Sequence, residues 1–373
     1  MTGGPAVGSP AGSAAQAGPV RERGGGLLLA DAPSLYFRAF YGVPRSVRAP
    51  DGTPVNAVRG LLDVLARQIV EIRPRQLVAC FDADWRPAFR VALLASYKAH
   101  RVAVPADRAG AAAGGDSGGG DVEEVADELR VQLPIIDAVL DAFGIARAAA
   151  AGFEADDVIA TLATRHRVAA GSRGEADDLE ADDLEADGQG GAGGGGVDIL
   201  TGDRDLFQLV DDAAGVRVRY AVERFAVVDE ASVAARYGIP GRAYADFAVL
   251  RGDPSDGLPG VAGIGAKTAA TLLGRFGSLA AILAALDTPP AAGGAGAQGL
   301  PAAARRRLLA ARDYLAAAVG VVAVVRDCGV GDVDGWLPAA PVDPRAVAVL
   351  GERWGLAGPC TRLVTALGAV AAG

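Results

Sequence analysis

Apolar and polar positions along the chain follow two rhythms. Val58, Leu61, Leu62, Leu65, Ile69 and Ile72 recur at helical spacing and predict an amphipathic helix over residues 56–72. Residues 129–143 show the same period, and so do residues 155–165, which Glu154 opens. Between them fall short, nearly all-apolar runs at 27–30, 76–81 and 197–200, each read as a buried strand. Strands alternating with helices predict an α/β fold with a mostly parallel sheet and helices on both faces. The longest apolar run, 315–325, is shorter than the ~20 residues of a membrane-spanning helix. It reads as a helix end leading into a further buried strand.

Composition changes this picture at the edges. Of 373 residues, 52 are Gly and 21 Pro, so part of the chain has low complexity. Residues 1–26 read as a disordered tail, with no apolar segment after a basic start. Two internal stretches, 107–121 and 171–196, read as flexible insertions, and 289–299 as a further flexible stretch. Cys80, Cys328 and Cys360 are scattered, which excludes a disulfide scaffold and fits a reducing cytoplasm.

The candidate chemistry lies in where the acids fall. Asp31, Asp82 and Asp203 each follow an apolar run, and ligands of open α/β sheets bind beyond the carboxyl ends of the strands. Asp205 follows closely, and Glu154, Asp156 and Asp157 open a helix. Any one of these acids suits a turn or a helix start. Seven carboxylates near one point repel one another unless cations are present. With no Cys or His in the set, hydrated Mg²⁺ or Mn²⁺ is expected rather than zinc. The Glu-Ala-Asp-Asp copies at 175–178 and 180–183 repeat that at 154–157, but lack an apolar helix behind them and read as a solvated tract.

Two further segments suit a phosphate backbone. Residues 85–101 carry five basic side chains and three aromatics without an acid, including Arg90, Tyr97, Lys98 and Arg101. Residues 251–268 hold Asp253 and Asp256 and then a glycine hairpin, Gly260, Gly263 and Gly265, before Lys267 and Thr268. This is not a phosphate-binding P-loop, because the spacing to the Gly-Lys pair is wrong. It has the form of a helix-hairpin-helix, which holds nucleic acid without reading its sequence.

The segments LLLADAPSLYFRAF (27–40), VACFDA (78–83), FRVALLASYKAHR (89–101), GFEADDVIATLA (152–163), TGDRDLFQLV (201–210) and GDPSDGLPGVAGIGAKTA (252–269) together resemble, in order, the 5′–3′ exonuclease and flap endonuclease family. That family includes the 5′ nuclease domain of bacterial DNA polymerase I and its stand-alone relatives. The resemblance implies a PIN-like (resolvase-like) catalytic domain over 27–228, a helix-hairpin-helix subdomain over 229–288 and a C-terminal extension over 289–373. It implies that Asp31, Asp82, Glu154, Asp156, Asp157, Asp203, Asp205, Asp253 and Asp256 hold two or more metal ions. It casts Arg90 and Lys98 as catalytic contacts to the scissile phosphate, and Tyr97 and Arg101 as part of an arch admitting a single-stranded 5′ end. Gly260, Gly263, Gly265, Lys267 and Thr268 would grip duplex DNA, with a K⁺ ion held there in relatives. Ala32 stands where the family has Gly, and Gly257 where it has Asn; neither change removes a ligand.

The expected activity is hydrolysis of DNA phosphodiesters at 5′ ends and 5′ flaps, in replication and repair. A PIN-type ribonuclease, a non-catalytic DNA-structure-binding protein and an aspartate-nucleophile phosphatase are the other classes these residues admit. The formal charge of −9 argues against nucleic acid only as a sum. It becomes −1 without the eight acids of 175–187, and +8 with the nine crevice carboxylates also set aside.

Overall fold

The computed structural model describes residues 26–103, 123, 125–177, 195–287 and 300–372. The expected N-terminal tail up to residue 25, the 107–121 insertion, most of the acidic repeat and residues 289–299 lie outside them. Six strands form one sheet: β1 (Leu27–Asp31), β2 (Gln76–Cys80), β3 (Ala146–Ala148), β4 (Val197–Thr201), β5 (Val216–Tyr220) and β6 (Ala226–Val228). Their order is β3-β2-β1-β4-β5-β6, and every pair is parallel except β5 with β6. The three runs read as strands are β1, β2 and β4, the centre of the sheet. The chain moves outward from β1 through β2 to β3, then returns to the other side of β1 with β4. The strand order thus reverses at the carboxyl ends of β1 and β4, where such folds open a ligand crevice.

Side chains alternate across the central strands. Leu28 and Ala30 pack with Asn56–Ile72, Leu133–Phe143 and the C-terminal helices on one face, while Leu27 and Leu29 pack with helix Ala155–Asp177 and the helices beyond residue 244 on the other. The expected helix over 56–72 forms with those bounds. The expected helix over 129–143 is divided into Asp127–Arg130 and Leu133–Phe143. Pro134 is tolerated in the first turn of the second piece, where its missing N–H costs nothing. Gln132 at the break accepts from the Ala57 N–H at 2.8 Å and donates to Asn56 Oδ1 at 3.0 Å. The helix begun at Ala155 runs to Asp177, into the first residues of the expected 171–196 insertion.

Three parts of the C-terminal region were not legible as such. Helix Ala357–Ala371 returns to pack on Asn56–Ile72, where Arg362 donates to Asp63 at 2.6 Å. Gly335 accepts from the Leu77 N–H at 2.7 Å, so this region also touches the start of β2. The apolar run at 315–325 is helix Arg312–Val322 followed by loop, not by a strand. Val324 and Val325 donate their N–H groups to Gln208 Oε1 and Asp157 Oδ1, so side chains take the place of a neighbouring strand.

The hairpin lies between helices Tyr244–Arg251 and Ala266–Phe276. Gly260 and Gly263 have φ of +69° and +79°, a region where a side chain is strained. Val261 N–H closes the turn onto Leu250 O at 3.0 Å. Tyr314, from helix Arg312–Val322, accepts from Gly260 N–H and donates to Val249 O, bracing the turn from behind.

Candidate active site

A cleft of about 600 Å³ opens at the carboxyl ends of β1 and β4. Asp31, Asp82, Glu154, Asp156 and Asp203 line it, together with Lys98, His100 and Arg101. Local hydrogen bonds explain how the acids are held. Asp31 ends β1 and caps the next helix through Ser34 N–H at 3.1 Å, while its other oxygen accepts from Thr201 Oγ1 at 2.6 Å. Thr201 Oγ1 in turn accepts from Asp203 N–H at 2.8 Å, so the ends of β1 and β4 are tied together. Asp82, just past β2, accepts from Ala155 N–H at 2.7 Å at the start of the next helix. Carboxylates at helix N-termini meet the favourable end of the helix dipole.

The cluster is short of positive charge. Burial pushes the Asp31 carboxyl up to about 7, with the Thr201 and Ser34 hydrogen bonds opposing and the Asp82 and Asp203 charges adding to the rise. Asp156 is raised well above the usual carboxylate range by burial, then by Asp203 and Asp31. Asp82 is also raised by burial, although Lys98 counters it. For Lys98, burial opposes its charge most strongly, but Glu154, Tyr97, Asp256 and Asp82 together hold it protonated.

The other expected ligands sit deeper. Asp205 and Asp256 are near each other behind Asp203, and both are raised, first by burial and also by the surrounding acids. Asp253 is 3% exposed and accepts from Arg251 at 3.1 Å and from Ser255 N–H at 3.0 Å. It caps the turn Pro254–Asp256 and does not line the cleft. Asp157 is fully buried, and both its oxygens accept from Arg90, at 2.7 and 2.8 Å.

Two of the expected residues lie buried outside the cleft lining. Arg90, expected at the scissile phosphate, is 2% exposed and does not line the cleft. Its guanidinium is held by Asp157, Glu154 and the Val321 carbonyl, which makes it an internal tie between three segments. Tyr97, expected to face DNA, is 4% exposed because its hydroxyl donates to Glu154 Oε2 at 2.7 Å. Lys98 pairs with the other Glu154 oxygen and does reach the cleft. Arg101 lines it too, while donating to Ser255 O at 2.8 Å and pairing with Asp256. Gly260, Gly263, Gly265, Lys267 and Thr268 are in the hairpin, outside the cleft lining.

The sequence reading missed Glu123, Trp85, Arg204 and the aromatic wall of Phe37 and Tyr41, all of which line the cleft. Phe37 was visible within the first motif and Tyr41 follows it directly; Glu123 stands outside every motif and carries no signal.

Among the described residues no three His, Cys, Asp or Glu side chains converge closely enough to hold a metal ion. The donors still fit hydrated Mg²⁺, which keeps several waters and is bound through one or two carboxylates. All the lining acids are oxygen donors, and burial raises the proton affinities of Asp31, Asp82 and Asp156 among them. The hairpin fits a K⁺ ion poorly. Gly263 O accepts from the Arg307 guanidinium at 2.9 Å and Val261 O from Ile264 N–H at 2.8 Å, so a second cation there would meet a fixed positive charge.

The N-terminal resolvase-like domain of the 5′–3′ exonuclease family matches residues 26–174, and that family's C-terminal SAM fold matches residues 239–338. A 5′–3′ exonuclease of Streptomyces coelicolor is 51% identical over 343 residues, covering 91% of this chain and 99% of the relative. A 5′–3′ exonuclease of Mycobacterium tuberculosis is 46% identical over 351 residues, covering 91% and 97%. Among solved structures, a phage T5 flap endonuclease in complex with DNA and metal ions superposes with a TM-score of 0.52 at 15% identity, covering 93% of this chain and 99% of that one. At that identity the likeness speaks for the fold alone. With both family domains matched in order and a relative covered almost end to end at half identity, the chain belongs to the 5′–3′ exonuclease family.

Proposed function

We propose that this chain is a divalent-metal-dependent 5′ nuclease that hydrolyses DNA phosphodiesters at 5′ ends and 5′ flaps, acting in the replication and repair of DNA. The observation that carries the reading is the cleft itself, where six carboxylates, five of them from strand ends and one helix start, face one space beside Lys98. A site that only bound DNA would be weakened by so much negative charge beside a phosphate. In this reading residues 27–228 carry the chemistry and residues 229–288 grip the duplex. Action in the cytoplasm accords with three free, buried cysteines, and no single described helix is long and apolar enough to cross a membrane.

Asp31, Asp82, Asp156 and Asp203 would hold Mg²⁺ or Mn²⁺, which when bound activates the attacking water and stabilises the leaving oxygen. Asp31 and Asp203 keep their geometry through Thr201, so the donors are ordered before a cation arrives. Glu154 spends its oxygens on Tyr97, Arg90 and Lys98, and serves as the anchor for the one lysine that reaches the cleft. Lys98 supplies positive charge where negative charge grows on the phosphate in the transition state. Its backbone takes φ of +47°, a left-handed conformation fixed in part by its N–H donating to Asp256 O at 3.0 Å. Arg101, partly exposed at the rim, adds charge for the incoming strand.

The test is cleavage of a labelled 5′-flap duplex beside single-stranded DNA and RNA of the same sequence, with Asp203→Asn as the control. The flap is expected to be cut only with Mg²⁺ or Mn²⁺, and Asp203→Asn to bind it without cutting. Preferential cleavage of RNA would favour the ribonuclease class instead.

A further inference from the structure

Arg305, Arg306 and Arg307 form a basic run in helix Ala302–Ala310, outside every motif considered above. The structure separates their roles. Arg305 turns inward and donates to the carbonyls of Ala285 and Leu286, closing the end of helix Leu279–Asp287. Arg307 lies over the hairpin and donates to Gly263 O at 2.9 Å. A Cβ on Gly263 would come within 2.8 Å of Arg307 Nε, so the glycine allows the guanidinium to approach. Arg307 is exposed, and no other hydrogen bond holds its guanidinium among the described residues. A guanidinium has five N–H donors in a fixed fork that suits phosphate oxygens. One anchored donor orients this fork and leaves the others for a ligand. Two neighbouring features favour an anion at the same place. The hairpin delivers the chain to the N-terminus of helix Ala266–Phe276, where Gly265 provides no side-chain cap, and Lys267 is exposed on its first turn.

We propose that Arg307 is a phosphate-binding residue of the hairpin, a built-in cation through which the duplex backbone is held without a bound monovalent ion. This rests on the reading of the chain as a DNA nuclease and adds to it a residue from a helix beyond the hairpin, together with a statement about ion dependence. A backbone contact of this kind strengthens binding to all sequences alike and positions the duplex without selecting bases.

The test is fluorescence anisotropy with a labelled 5′-flap duplex in EDTA, titrated with KCl and separately with LiCl, for the wild-type chain, Arg307→Ala and Arg307→Lys. Arg307→Ala is expected to weaken binding about 5- to 10-fold at low salt and to lower the slope of log affinity against log salt by about 1. Arg307→Lys should restore most of the slope, which separates lost charge from a disturbed hairpin. Wild-type affinity should match in KCl and LiCl at equal concentration. An unchanged slope in Arg307→Ala would show that the side chain only packs on the hairpin, and wild-type binding that needs K⁺ would overturn the built-in cation. Wild-type chain that ignores flap DNA altogether would remove the nuclease reading, and this inference with it.

Discussion

Replacing Arg90 by Ala should unfold the chain at markedly lower temperature rather than merely slow catalysis. The guanidinium is 2% exposed and donates to both Asp157 oxygens, to Glu154 and to Val321 O. Asp157 has no exposure, so its carboxylate would lose both strong donors and keep only backbone N–H groups, such as that of Val325. Removing one partner of a buried pair costs about 3–5 kcal/mol, because the remaining charge is left uncompensated. In a catalytic domain of this size each kcal/mol lowers Tm by roughly 2–4 °C, so a fall of about 10 °C is expected. Thermal unfolding followed by circular dichroism measures it. The double variant Arg90→Met with Asp157→Asn should lose less than the two single losses combined, because both charges leave together. An unchanged Tm with lost cleavage would refute the reasoning and return Arg90 to the substrate phosphate.

Asp31 makes metal-free stability depend on pH. Its folded carboxyl titrates near 7 and its ordinary value is 3.8, so the folded state holds the proton more tightly. Its stabilising contribution is complete below about pH 4 and lost as pH rises through about 7, up to about 4 kcal/mol for this group. Chemical denaturation of the metal-free chain should show this decline between those limits, and Mg²⁺ should reverse it at pH 7.5; stability flat over that window would contradict it. Lys98→Ala should lower the single-turnover cleavage rate about 100-fold or more, on the scale of removing one transition-state donor. An unchanged rate at saturating enzyme would exclude Lys98 from the chemistry. Gly257→Ala should cost about 1–3 kcal/mol, because Gly257 has φ of +73° and an added Cβ would fall 2.1 Å from Ser96 O. Wild-type stability in that variant would show that the loop at 253–257 yields freely.

Much of the centre of the fold was legible because its signals are local. The stripe from Val58 to Ile72 sets a helix by its own period, and the runs that end near Asp31, Asp82 and Asp203 mark the central strands. β5 was not legible, because Arg217 and Arg219 break its apolar pattern; in the fold both pair with Asp198 on β4, and Arg219 also with Glu71. The burial of Arg90 was not legible for a related reason. Its place is decided by Asp157, 67 residues away, and by the carbonyl of Val321, 231 residues away, neither of which its neighbours announce. Gly257 stands where the resemblance places Asn. In the structure the backbone there passes so close to Ser96 that a side chain has no room, while Ser96 Oγ donates to Gly257 O at 2.9 Å. The residues facing the cleft were legible where they close a strand or open a helix. Glu123 was not, because it comes from a connection without periodicity.

The central claim is that the carboxylates around Asp31 and Asp203 form a metal-dependent site for cutting DNA at a 5′ flap. Single-turnover cleavage of an end-labelled 5′-flap duplex, with products mapped to the nucleotide, tests it most directly. Cleavage near the junction with Mg²⁺, none in EDTA and none with Asp203→Asn is the predicted result. Equal cleavage in EDTA, or full activity of Asp203→Asn, would contradict the account.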